Sequence, residues 1–421
     1  MHVRGDGLTS GTDSATQRAI EAVARQSYGR LVAYLAARTR DVAAAEDALG
    51  DALVAALTAW PRDGVPTSPD AWLLTSARNR LIDAARHRRV QSAHADAFAH
   101  LTDEWADAAP DDPLPDERLK LLFVCAHPAI DPSMHTPLML QAVLGLDAAA
   151  IARAFVVAPA TMGQRLVRAK AKIRDAGIAF EIPDAAQLPA RLDAVLHAIY
   201  AAFGSGWEDA TGTDARARGL VDEAIWLARM LKERLPDAAE VGGLLALMLH
   251  CEARRPARRS ADGTFVPLSE QDPRAWIAAL ADEAERELAA AAALNRPGRF
   301  QLEAAIQSVH ADRARSGRTD WPAIALLYEG LVRLAPTLGA RVGRAAAVAE
   351  ANGAIAGFEL LDAIDDAATA SYQPYWAVRA HLSAAVGRLD SAHDAFERAI
   401  ALSDDAAVRA YLATRRDALT A

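Results

Sequence analysis

Through most of this chain the apolar residues recur with a period close to 3.6, alanine is abundant, and clusters of β-branched residues are few. That pattern lays apolar side chains along one stripe of an α-helix and offers no alternating face to a sheet. An all-α protein is predicted. Punctuation then divides it. A tail at 1–15, rich in Gly, Ser, Thr and Asp and without an apolar core, is expected to be disordered and not a secretory signal. Residues 16–90 read as a first helical block. Residues 91–115 are polar and acidic, and Pro110, Pro113 and Pro115 discourage helix there, so this stretch is a linker. A second block covers 116–180, Glu181-Ile-Pro-Asp184 interrupts, and a third helical region fills 185–421. A length of 421 residues suits two or three domains.

The formal net charge of -9 hides an uneven distribution. Acid is concentrated at Asp103-Glu104, Asp107, Asp111-Asp112 and Asp116-Glu117, with basic segments on either side. Nucleic-acid binding depends on such local patches, whereas whole-chain charge governs solubility and steering. Two cysteines, Cys125 and Cys251, cannot build a disulfide framework and point to a reducing cytoplasm. No run of ~18 consecutive apolar residues argues for a membrane span.

The segment Gly145–Arg174 reads as two short amphipathic helices joined by a tight turn. Between Ile151 and Arg174 the charged residues are Arg153, Arg165, Arg168, Lys170, Lys172 and Arg174, with no acid among them. Leu146, Ile151, Phe155, Met162, Leu166 and Ile173 fall at spacings that share one buried side. This is a helix-turn-helix pattern, whose second helix enters a DNA major groove. A solvated basic face on an ordinary bundle accounts for the same period and charge.

The first block carries two further patterns. Ala45–Trp60 is an amphipathic helix with Leu49, Leu53 and Leu57 four apart, and Asp47 and Asp51 on the other side. Pro69–Arg89 carries Arg78, Arg80, Arg86, Arg88 and Arg89 against a single nearby acid, Asp83. Such cations neutralise phosphates, and Asn79 can contact an unstacked base. Trp72, surrounded in sequence by Leu73, Leu74 and Leu81, favours a core role over base stacking.

Leu146, Ile151-Ala152, Thr161, Arg165-Leu166 and Arg168-Ala169 fall where region 4 of extracytoplasmic-function sigma factors has its framework residues, and the segment resembles that region. Ala45–Trp60 resembles region 2.2, the helix that docks on the clamp coiled coil of RNA polymerase, and Pro69–Arg89 resembles regions 2.3 and 2.4. Glu117–Ile130 is similar to a narrower group of sigma factors with a long helical C-terminal extension. The resemblance implies a region 2 bundle at 16–90, a region 4 helix-turn-helix domain at 116–180, and core RNA polymerase and promoter DNA as partners. It implies polymerase contacts from Asp47, Leu49, Asp51 and Leu53, and downstream-element contacts from Arg78, Asn79, Arg80, Arg86, Arg88 and Arg89. Upstream-element contacts are expected from Thr161, Gln164, Arg165, Arg168, Lys170 and Lys172. Two departures stand out. Val156 occupies a turn position where the family has glycine, and a β-branched residue resists φ > 0, so a differently built turn is expected. Gly163 sits on the outer face where a polar base reader belongs.

In the C-terminal region, Gly353–Leu361 and Gly387–Ala399 start 34 residues apart, the tetratricopeptide period. Ala380, Gly387, Ala392, Phe396 and Ala399 fit that repeat, and Trp321–Pro336 is a further candidate. A helical solenoid over 185–421 is expected, offering a concave surface to a regulatory protein. The segment His250–Leu268 breaks the rhythm with Arg254, Arg255, Arg258 and Arg259 before an Asp262-Gly263 turn. It reads either as a contact from the extension to its partners or as an ordered loop closed by ion pairs. No catalytic constellation emerges. Cys125 and His127 are two apart and point to different sides of a helix, His250-Cys251 is isolated, and no phosphate loop is present. The expectation is a non-enzymatic protein without cofactor or metal, an alternative sigma factor with a regulatory extension. Its rivals are an operator-binding helix-turn-helix regulator with a solenoid sensor, and a repeat scaffold whose N-terminal helices have lost transcriptional function.

Overall fold

The computed structural model describes residues 16–23, 27–91, 116–207 and 215–419. Among them the chain is helical, apart from one isolated antiparallel bridge between Arg259 and Phe265. The expected tail at 1–15 and linker residues 92–115 lie outside the described residues. Two compact units are formed: one up to Trp207 together with Ala215–Leu227, the other from Ala228 onward.

The first unit opens with α1 (Tyr28–Thr39), α2 (Val42–Asp63) and α3 (Pro69–Gln91). Arg40, left-handed at φ 54°, ends α1, and the Asp41 carboxylate accepts from Ala44 N at 3.0 Å to cap α2. Small residues line the packed side of α2, where Ala45, Ala48, Ala52 and Ala56 are buried, and Leu73, Ala77 and Leu81 are buried on α3, which packs on α2. Trp72 packs edge-on against buried Trp60, with ring centroids 5.6 Å apart, which gives it the expected core role. Ser27 and Arg30 both donate to Asp70, at 2.8 and 2.5 Å, pinning α1 to the start of α3.

Next come α4 (Arg118–Cys125), α5 (His135–Ala142), α6 (Ala148–Ala154) and α7 (Pro159–Asp175). Leu121, Leu122, Phe123, Val124 and Cys125 are all fully buried, so α4 is a core helix covered on every side. Helix α1 lies on α4, and α7 lies on both α5 and α2. Then α8 (Leu188–Trp207) packs on α5 and α4, and α9 (Ala215–Arg234) supplies residues to both units. The extension expected from residue 185 therefore begins with helices that belong to the first unit, because their apolar faces complete the core around α4 and α5.

The second unit runs α10 (Ala239–Ala253), α11 (Ala278–Ala293), α12 (Arg299–Ala311), α13 (Arg313–Ser316), α14 (Trp321–Leu334), α15 (Leu338–Asn352), α16 (Ala354–Asp362), α17 (Gln373–Ala385), α18 (Leu389–Ala401) and α19 (Ala406–Asp417). Each helix from α14 onward packs chiefly on its neighbours in sequence, the organisation of a helical solenoid. Gly353 and Gly387, at φ 101° and 75°, make the α15–α16 and α17–α18 turns, so the 34-residue spacing read from sequence marks equivalent corners. The Arg-rich segment is an ordered loop within this unit. Arg259 pairs with Asp405 at the cap of α19, Phe265 packs edge-on against Tyr411, and Arg313 donates to the carbonyls of Leu268, Ser269 and Gln271.

In this unit His250 on α10 is buried and His310 on α12 half-buried. Burial, reinforced by the Arg254 guanidinium, pushes each down to about 4. Glu285 lies 3.4 Å from His250 Nε2, but that carboxylate is half-exposed and burial of the imidazole prevails. An unfolded histidine titrates near 6.5, so on acidification the unfolded chain takes the proton first. This contribution is complete above pH ~6.5 and is lost as the pH falls toward 4, amounting to about 2 kcal/mol per histidine between pH 7 and 5. Urea unfolding at both pH values should show His250→Gln reducing the pH dependence by up to that amount. An unaltered dependence would mean that His250 does not titrate as a buried group.

Candidate nucleic-acid interface

On α2 the outward face carries Asp47 and Asp51, both exposed, and below them Val54 and Leu57 at 63% and 48% exposure. The expected leucine stripe is displaced. Leu49 is buried in the core and is unavailable to a partner, Leu53 is half-buried, and Leu57 faces solvent. Alanines at 45, 52 and 56 are buried instead. Asp51 is bridged by Arg80 of α3 at 2.8 Å, linking the acidic face to the cationic one.

Asn79, Arg80 and Arg86 are exposed on α3, Arg78 is half-buried, and Arg86 lies 3.6 Å from Asp83. The side chains of Arg88 and Arg89 lie outside the described residues. With buried Leu73, Ala77 and Leu81 on the opposite side, α3 presents cations and one amide to solvent.

Helices α6 and α7 meet at a tight turn. Asp147 caps α6 by accepting from Ala150 N at 2.7 Å, and Pro159 starts α7 at a position that needs no N–H. Val156 corrects the sequence expectation. The turn keeps left-handed geometry with valine at φ 53° and 91% exposed, so strain is carried by a side chain that packs on nothing local. Phe155, expected inside with Leu146, Ile151, Met162, Leu166 and Ile173, is 38% exposed, while those five are buried.

The buried stripe of α7 is Met162, Leu166, Ala169, Lys170 and Ile173. Thr161, Gln164, Arg165, Arg168 and Lys172 share the exposed side, with Val167 beside them. Nothing lies within 4 Å of where a Gly163 Cβ would stand, so that position is an open notch. Lys170 is the correction here. Its side chain is 9% exposed and pairs with Glu46 of α2, itself 12% exposed. Two residues along a helix turn the side chain by about 200°, which puts Lys170 opposite Arg168. Lys170 is thus withheld from the cationic face that holds its neighbours.

Around this pair the interior is polar. Burial pushes Glu46 above the usual carboxylate range against the pull of Lys170, and its Oε1 accepts no hydrogen bond. Burial, then the charge of Glu46, pushes the phenol of Tyr28 and the thiol of Cys125 upward, so Cys125 is an inert structural thiol. Elsewhere in the unit Arg118, 7% exposed, holds Asp116 with both carboxylate oxygens, pairs with Glu223 of α9, and stacks 3.8 Å from the Trp226 ring centroid. Sequence reading missed Glu46, Arg118, Glu223 and Trp226. No local signal links Arg118 to Glu223, 105 residues away. Among the described residues no group of three or more His, Cys, Asp or Glu could hold a metal ion, and no helix is long and apolar enough to cross a membrane.

The α1–α3 bundle thus combines an acidic outer face on its second helix with a cationic third helix. Residues 23–90 match sigma-70 region 2, and residues 191–292 match a family of unknown function, DUF6596. The chain is also similar to the uncharacterized protein R00370 of Rhizobium meliloti (strain 1021), at 38% identity over 401 residues covering 94% of each chain. No solved structure matches. The chain belongs to the same family as that Rhizobium protein, and its residues 23–90 are similar to sigma-70 region 2.

Because the Val156 side chain touches little and sits at positive φ, Val156→Gly should stabilise the first unit by about 0.5–1 kcal/mol after the entropy of glycine is counted. Thermal unfolding of the full chain would register this as a rise of the first unit's transition. A fall would mean that the valine is held by interactions the turn geometry does not reveal.

Proposed function

We propose that this protein is an alternative sigma factor of extracytoplasmic-function type, binding core RNA polymerase and directing promoter recognition, with a tetratricopeptide-like helical extension that regulates it. The observation that carries this reading is the presence, in one compact unit, of a sigma-70 region 2 and a second module ending in α7 with its one-sided cationic face. Helices α6 and α7 act as a helix-turn-helix. Thr161, Gln164, Arg165, Arg168 and Lys172 contact the upstream element, and Lys170 is excluded from that set by its pairing with Glu46. Arg78, Asn79, Arg80 and Arg86, with Arg88 and Arg89 beyond them, serve the downstream element, where cations hold phosphates and the amide meets an unstacked base. Core polymerase docks on α2 through Asp47 and Asp51 with Leu53, joined by the exposed Val54 and Leu57. The contribution is recognition and positioning, while bond making belongs to the polymerase. An operator-binding regulator would leave the region 2 match without a role.

The test is transcription by purified bacterial core polymerase on a library of promoter fragments, with the full chain added. Specific transcripts that require the protein are expected; no transcript and no co-elution with core would overturn the reading. For the holoenzyme on such a promoter, Arg165→Ala with Arg168→Ala should lower the slope of log affinity against log salt by about 2, since each phosphate contact contributes roughly 0.9. An unchanged slope would remove α7 from the DNA contact.

A further inference from the structure

We propose that the corner joining α4 to α5, with Arg191 of α8, is a binding site for the carboxylate of a small organic acid, held by the Arg191 guanidinium and by the Nε2–H of His127. The site lies within the first unit and does not depend on the sigma-factor reading. Arg191 stands in the first turn of α8 and is only 5% exposed. Its Nε is buried without a hydrogen bond, and among the described residues no carboxylate pairs with its guanidinium. Removing a guanidinium from water is costly unless an anion meets it.

Short-range bonds fix the corner. Ile130 is buried, and His135 Nε2 lies 3.1 Å from its carbonyl oxygen, which can only accept, so that nitrogen is a donor. Ser133 N and Oγ both donate to Asp131, at 2.9 and 2.8 Å. His127 Nδ1 accepts from Ala129 N at 3.1 Å. A neutral imidazole that accepts at Nδ1 carries its proton on Nε2, so the other edge of His127 is a donor. Helix α8 packs on both α5 and α4 and brings Arg191 to this corner. Burial, then the charge of Arg191, then that of His135, hold His127 below the usual histidine range. Two donors, one of them cationic, therefore stand within each other's field with no acid in hydrogen-bond contact among the described residues.

The surrounding charge selects the ligand. Asp131, Glu181 and Asp184 are exposed, and Asp184 accepts from Ala186 N and Gln187 N, each at 3.0 Å. Asp184 and Glu181 act on Arg191 only through their fields, and burial still leaves its guanidinium below the usual arginine range. One buried cation and one neutral donor amid these carboxylates suit a monoanion. A phosphate dianion would set a second charge against the same acids. The planar guanidinium fork matches the two oxygens of a carboxylate, and His127 Nε2 can donate to a remaining lone pair. A side chain this well covered is reached by a small molecule and not by a folded surface.

The test follows isotope-labelled histidine Cε1 resonances of the full chain while sodium acetate replaces sodium chloride at constant ionic strength, with His127→Gln identifying the His127 signal. That signal should shift saturably, with a dissociation constant of roughly 1 mM or below. Its titration midpoint should rise, because a bound anion favours the imidazolium. The charged groups acting on His127 are Arg191 of α8 and His135 of α5. Arg191→Gln should weaken acetate binding by about tenfold or more. Without ligand it should raise the His127 midpoint, since a neighbouring cation is gone. Arg191→Lys keeps the charge and loses the fork, so the midpoint should stay low while acetate binding still falls. This variant decides if Arg191→Gln loses helix content by circular dichroism. Inorganic phosphate should bind more weakly than acetate. An unsaturable acetate response in the parent means that water alone serves Arg191 and overturns the site, as does unchanged acetate binding in either Arg191 variant. Phosphate binding tighter than acetate overturns the carboxylate assignment.

Discussion

Everything in the first unit is organised around a charged pair that the interior would rather not hold. Removing two ions from water costs several kcal/mol each, and only good geometry with fully satisfied partners recovers it. Glu46 and Lys170 recover part, leaving one carboxylate oxygen without a donor. The remainder is offset by apolar surface buried elsewhere in the unit, such as Leu121, Leu122, Phe123 and Val124 of α4. The pair then selects one register between α2 and α7, because a slipped helix would leave both charges stranded. Arg118 does the same at the other end of α4 with better satisfaction, using both oxygens of Asp116, the Glu223 carboxylate and an aromatic face.

Helical periodicity divides the cations of α7 between two tasks. Arg165, Arg168 and Lys172 recur at steps of three and four and stay in solvent, whereas Lys170 turns inward with Leu166, Ala169 and Ile173. A basic residue on the buried stripe is useful only where an acid waits for it, and Glu46 is placed for that. The same helix starts after a strained turn. Val156 holds a left-handed conformation that glycine would adopt freely, and the mostly solvent-exposed side chain gains nothing visible in return.

The elements themselves were legible in the sequence. The 3.6-residue period and the 34-residue glycine spacing each correspond to helices or corners of the fold. The cationic face of α7 was legible too, since its residues share one side of one helix. What escaped were relations between segments far apart in the chain. Leu49, expected to meet polymerase, is buried while Leu57 of the same stripe faces solvent, a division that α2 alone does not contain. Lys170 was misassigned for a local reason, since a count of charges ignored that it sits two residues from Arg168. The Arg118–Glu223 contact has no sequence signal, because neither residue belongs to a motif and 105 residues separate them.

The segment shared with the family of unknown function does not coincide with a unit of compactness. Its first part, residues 191–227, completes the core around α4 and α5, and its later part builds α10 and α11 of the solenoid. Helix α9 is continuous through the division, with Glu223 and Trp226 serving the first unit and Arg229, paired to Glu283 at 2.8 Å, serving the second. Residues on successive turns of one helix belong to different units. The extension is accordingly better described as beginning inside the first unit than as an appendage to it. A truncation at residue 184 would remove α8 and α9 and expose the apolar surface of α4 and α5, so it would test the loss of a core and not the loss of a regulator.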